Sequence, residues 1–147
     1  MKSKLLFLSL IVPLALMLIS AGPLYKDWGP WHTLKCLPGI DARVKCDTYN
    51  ELYGQYRWRI EFRNRYKKKV HFSYDLLEVN DPPDTHGRKH LDPGEIGSSY
   101  TWVNTPPSKN MKVFIDEVCF DSNDNCWNPN VGYAKPECSP HLPQAIK

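Results

Sequence analysis

The chain has 147 residues, of which 41% are hydrophobic, 24% charged and 12% aromatic, a globular composition with room for one domain and hardly for two. The formal charge is +3 at neutral pH. These figures exclude a multidomain enzyme, a collagen-like fibre, a polytopic membrane protein and a low-complexity tail, and they name no activity.

The chain opens with Lys2 and Lys4, an uncharged apolar run from Leu5 to Ile19 interrupted only by Ser9 and Pro13, and the small residues Ser20, Ala21 and Gly22. That order of basic, apolar and small residues is the pattern of a secretory signal peptide, expected here over residues 1–21. The apolar run is shorter than the ~20 residues of a spanning helix, and Pro13 breaks it, so no integral membrane span is expected after processing. Residues 22–147 are then a single exported domain, secreted, periplasmic or extracellular. Two of the 19 basic residues leave with the signal, so the mature chain carries 17 basic and 16 acidic residues, and a nucleic-acid partner is not expected.

Trp28 and Trp31 precede the first alternating segment. They are expected either to cover one end of the domain or to form an aromatic platform for a sugar or a protein partner. From there the dominant period is two. Ile40, Ala42, Val44 and Cys46 alternate with Asp41, Arg43 and Lys45; Tyr56, Trp58, Ile60 and Phe62 alternate with Arg57, Arg59, Glu61 and Arg63. Val70, Phe72, Tyr74 and Leu76 alternate with His71, Ser73 and Asp75, followed by Tyr100 and Trp102 and by Met111, Val113 and Ile115. Alternation of this kind describes strands with one buried face. The phase shifts after Ile115 to Val118 and Phe120, which predicts a bulge near Asp116 and Glu117. Turn chemistry separates the runs at Pro38-Gly39, Asn64-Arg65, Asn80-Asp81-Pro82-Pro83, Asp92-Pro93-Gly94 and Thr105-Pro106-Pro107. Thr48, Glu51 and Gly54 have the spacing of one short capped helical turn. Residues 127–147 carry four prolines and are expected to form an irregular tail.

The segment Arg57 to Lys69 holds Arg57, Arg59, Arg63, Arg65, Lys67, Lys68 and Lys69 against Glu61 alone. The Tyr56 and Val70 runs are expected to pair as a hairpin, Phe62 facing Val70 and Arg57 facing Asp75, with the aromatic side in the core. Its outer, basic side is a solvated sheet face in the simplest reading. In the functional reading, Arg57, Arg59, Arg63 and Arg65 contact an acidic protein surface or an anionic glycan.

Five cysteines in an exported chain allow two disulfides and leave one thiol over. Cys119 with Cys126 and Cys36 with Cys46 are the candidate pairs, and Cys138 is the alternative that ties down the tail. Asp84, His86, His90 and Asp92 share one Pro-flanked segment, read as a polar loop, and the Asp121-x-Asn123-x-Asn125 run lacks the glycine and glutamate of a calcium loop. No metal, cofactor or catalytic residue is expected.

The resulting expectation is an all-β domain, a small antiparallel β-sandwich of immunoglobulin-like, Greek-key type, with a small closed barrel as the alternative. Its function is expected to be binding without enzymatic activity. Two alternatives are a small hydrolase using His71 or His86 and an envelope module whose odd cysteine links chains.

Overall fold

The computed structural model describes residues 27–78, 87–121, 126–139 and 141–146. The expected signal peptide, the Asn80–Pro83 turn, Asp84 with His86, and Asn123 with Asn125 lie outside the described residues. The described residues form eight strands and no helix: β1 (His32–Leu34), β2 (Leu37–Asn50), β3 (Gln55–Asn64), β4 (Val70–Glu78), β5 (Gly87–Leu91), β6 (Ile96–Val103), β7 (Met111–Phe120) and β8 (Cys126–Trp127). They make two antiparallel sheets, ordered β1-β2-β3-β6 and β5-β4-β7-β8.

The alternating runs explain why each strand buries one face. On β3, Trp58, Ile60 and Phe62 are buried while Arg57, Arg59, Glu61 and Arg63 are partly exposed. On β4, Val70, Phe72, Tyr74 and Leu76 are buried with them in one cluster that takes Ile40 and Cys46 from β2 and Ile115 and Val118 from β7. Phe62 meets Phe72 and Tyr74 edge-on, both at 4.9 Å between ring centres. Pairs of that geometry contribute about 0.5–1.5 kcal/mol beyond the area they bury.

These contacts overturn the expected β3–β4 hairpin. β3 pairs with β2 and β6, and β4 pairs with β5 and β7. Period two states which face of a strand is buried, not which strand lies beside it. Both aromatic faces needed burial, and they reach it by facing each other across the core. Arg57 therefore lies opposite Thr48 and Trp102, and Glu61 opposite Arg43 and Ser98; Asp75 and His71 belong to the other sheet.

The connector from β3 to β4 is organised by Asn64, whose side chain is fully buried. Its Nδ2 donates to the carbonyls of Lys68, Leu91 and Asp92 at 2.8, 3.0 and 3.1 Å, and its Oδ1 accepts from the Tyr66 amide at 2.8 Å. One amide side chain thus fixes both the exit from β3 and the β5–β6 turn, satisfying backbone groups that burial would otherwise leave unpaired.

The bulge read near Asp116 is present: β7 skips one residue where Ser73 pairs with Glu117 and Tyr74 with Ile115. Two local expectations change. Pro38-Gly39 is not a turn but lies inside β2; the reversal falls at Lys35 and Cys36, where Cys36 adopts a positive φ of 65°. Gly39 lets the Tyr66 ring pack on the backbone, since a Cβ there would lie 2.5 Å from ring atoms. Thr48 continues β2, and residues 51–54 form a hairpin turn in which Asn50 Oδ1 accepts from the amides of Leu52 and Tyr53.

The disulfides are Cys36–Cys138 and Cys119–Cys126. The Cys36–Cys46 pairing fails because β2 is extended between them: ten residues of strand separate the two by about 33 Å. Cys46 instead points into the core and is fully buried. Among its described residues the tail carries no strand beyond β8 but is tied down through Ile115 to Val131, Tyr66 to Ala145 and the Cys138 bridge.

Candidate functional site: an arginine–tryptophan face

The outer face of the first sheet brings together residues from the N-terminal segment, β2, β3 and β6. On β2, Asp41, Arg43 and Lys45 lie directly opposite Arg63, Glu61 and Arg59 of β3. The first two pairs are complementary and close as ion pairs, Arg43 to Glu61 at 2.6 Å and Arg63 to Asp41 at 2.6 Å. The third sets Lys45 against Arg59, a like-charge arrangement that destabilises a sheet.

Two features relieve that clash. The register shifts between Cys46 and Thr48, which leaves Asp47 bulged beside β3, where it pairs with Arg59 at 2.6 Å and Arg57 at 2.7 Å. The Lys45 ammonium turns the other way, over the Trp28 ring at 4.8 Å. Gly29 permits this because its amide donates to the Val44 carbonyl at 3.1 Å, laying the Trp28–Trp31 segment against β2.

Trp28 and Trp31 therefore lie on the same face as the arginines and not over an end of the fold. The Arg43 guanidinium sits 4.8 Å from the Trp28 ring and 4.4 Å from the Trp31 ring, and Arg63 lies 4.7 Å from Trp31. At the far end Arg57 lies 5.8 Å from Trp102 of β6. Contacts of this kind contribute about 0.5–1 kcal/mol each at exposed sites, so the rings hold the cations in place as much as the carboxylates do.

Asp41 is the anchor. Its side chain is 3% exposed, and its two oxygens accept from Arg63, Arg65 and Thr33. Burial raises its pKa, but the hydrogen bonds from Arg65, Arg63 and Thr33 outweigh it and hold the carboxyl below the usual range. Asp47 is lowered the same way, burial again opposed by Arg57, Thr48 and Arg59, and its hydrogen bond raises Arg57 in turn. Arg65 also donates to the Pro38 carbonyl at 2.6 Å and the Ile146 carbonyl at 3.1 Å, so of the four sequence-picked arginines it is the one used to fasten the tail.

Six cations, Arg43, Lys45, Arg57, Arg59, Arg63 and Arg65, thus share three carboxylates, Asp41, Asp47 and Glu61. The face keeps a positive excess, and Arg59, 41% exposed, is its most open arginine. Beside it β6 presents Ile96 and Tyr100, which are 50% and 62% exposed. The sequence reading missed Arg43, Lys45, Trp102 and the three carboxylates as parts of the site. The signal was in the β2 alternation, whose charges complement those of β3 at two of three antiparallel positions.

On the second sheet, His71 and His90 lie opposite each other on β4 and β5, their Nδ1 atoms in contact and their rings perpendicular at 4.5 Å between centres. Neither ring is hydrogen-bonded to a carboxylate among the described residues. No helix among the described residues is long and apolar enough to cross a membrane. Comparison with protein-family models, curated proteins and solved structures finds no match to this chain.

Proposed function

We propose that the protein is an exported, non-enzymatic binding module that takes an acidic protein partner on the outer face of the β1-β2-β3-β6 sheet. The observation that carries this reading is the shared face itself: Trp28, Trp31, Trp102 and Tyr100 are interleaved with arginines that outnumber their carboxylates. Tryptophan, tyrosine and arginine are the residues that dominate protein–protein hot spots, and excess positive charge steers and selects an acidic partner. An immunoglobulin-like Greek-key sandwich is the fold we infer. It is supported by the strand order, in which β3 neighbours β6 in one sheet while β4 neighbours β7 in the other, with β5 beside β4. Export is supported by the basic, apolar and small residues of positions 2–22 and by the two disulfides.

The test uses the mature protein on two immobilised probes, a polyglutamate peptide and heparin, at low and at physiological salt. The wild type is expected to be retained on polyglutamate, with Lys45→Glu plus Arg59→Glu weakening retention at least about tenfold and Lys112→Glu on the other sheet leaving it unchanged. Retention on heparin alone would favour the anionic-glycan reading. Retention on neither, or equal retention of the double variant, would remove the face as a binding site. Mass measurement of the protein recovered from the cell exterior checks removal of residues 1–21.

A further inference from the structure

The geometry points to a second site on the opposite sheet: we infer that His71 and His90 form a chelating pair for a borderline divalent cation such as Zn²⁺.

β4 and β5 are antiparallel neighbours in which His71 pairs directly with His90, so both rings rise from the same row of the outer face. Their Nδ1 atoms face each other, and only one hydrogen fits between them. Two ring nitrogens aimed at one point are what a cation of this class binds. At Zn–N distances of about 2.0–2.1 Å the two nitrogens would stand about 3.3 Å apart, a separation reached by small ring rotations without moving either backbone. The strands fix the backbone on both sides, so little ordering is left to oppose binding.

His71 Nε2 is buried with no hydrogen-bond partner among the described residues, which leaves Nδ1 as the nitrogen a cation can reach. Neutral imidazole is the form that ligates metal. On binding, the ring that carries its hydrogen on Nδ1 shifts it to Nε2, and no redox step is involved.

Among the described residues no third histidine, cysteine or carboxylate atom is grouped with the pair, so water would complete the coordination. Ser73, Arg88, Glu117 and Cys119 line the same small groove of about 70 Å³ with both histidines. Cys119 is committed to its disulfide and cannot ligate. Two imidazoles select borderline metals over Mg²⁺ and Ca²⁺, which demand oxygen ligands in greater number.

The experiment titrates Zn²⁺, and Mg²⁺ as the contrast, into the oxidised mature protein, with binding read by calorimetry and by the ring-proton resonances of the histidines. One equivalent of Zn²⁺ is expected to bind and to shift the resonances of His71 and His90 together. His71→Asn and His90→Asn should each weaken binding at least about tenfold, as is typical when a ligand is lost. His32→Asn and His141→Asn should bind as wild type. Equal unfolding midpoints without metal show that the variants fold. If one does not fold, zinc protection of both rings from pyrocarbonate modification in the wild type gives the same answer. Absence of stoichiometric zinc binding, or zinc binding that survives in the His71→Asn/His90→Asn double variant, overturns the assignment.

Discussion

Replacing Asp41 by Asn removes one negative charge while keeping the side-chain shape. The carboxylate is 3% exposed and accepts two hydrogen bonds from Arg63, at 3.0 and 2.6 Å, and two from Arg65, at 2.8 and 3.0 Å. Removing one partner of a fully buried ion pair costs about 3–5 kcal/mol. Here the guanidiniums are 36% and 26% exposed and recover water, so the expected loss is smaller, about 2–3 kcal/mol. In urea that lowers the unfolding midpoint by about 1–2 M with an unchanged slope. The pH dependence follows from the lowered pKa. A carboxyl whose folded pKa lies below its unfolded value of 3.8 stabilises the fold fully above that value and loses the contribution as pH falls through the folded pKa. The gap between wild type and Asp41→Asn should therefore narrow in acid below about pH 4. A loss under about 1 kcal/mol at neutral pH, or a gap that persists unchanged in acid, would refute Asp41 as the anchor of the face.

Three further outcomes follow from the same structure. Cys36–Cys138 joins residues 102 apart and Cys119–Cys126 residues 7 apart, so chain-entropy arithmetic assigns about 4.7 and 2.5 kcal/mol to them; urea unfolding of the Cys36→Ser/Cys138→Ser protein should show the larger loss, and the reverse order would contradict this. Gly39→Ala must displace the Tyr66 ring and should cost about 1–3 kcal/mol by thermal unfolding, with Tyr66→Leu in the same chain recovering part of it. Trp31→Ala removes one ring from over both Arg43 and Arg63 and should cost about 1–2 kcal/mol; a loss no larger than that of an isolated exposed side chain would show that the ring does not hold them.

Strand existence and inner faces were legible because Trp58, Ile60, Phe62, Phe72 and Tyr74 obey period two, and the phase slip at Asp116 was readable for the same reason. Partnership was not. The Tyr56 and Val70 runs satisfy a hairpin register as well as they satisfy stacking across a core, and nothing local to either run distinguishes the two. β5 is not announced by the sequence because Arg88, Lys89 and His90 are three consecutive polar residues on a short edge strand, so no alternation marks it. Of the site, the arginines were visible by composition. Their tryptophan caps were visible as residues but not as neighbours, since Gly29 bonding to Val44 is what folds that segment onto the face. Asp47 was hidden by a bulge that no alternation announces.

The Cys36–Cys138 bridge encloses every strand from β2 to β8 and, among the strands of the described residues, leaves only β1 outside it. A load applied to the two ends of the oxidised chain therefore runs from sulfur to sulfur and bypasses the sheets. Pulled in this way the domain should yield little more than β1 and the last few residues, with its full contour released only after reduction. A backbone cut anywhere between the two cysteines would likewise leave both pieces covalently joined.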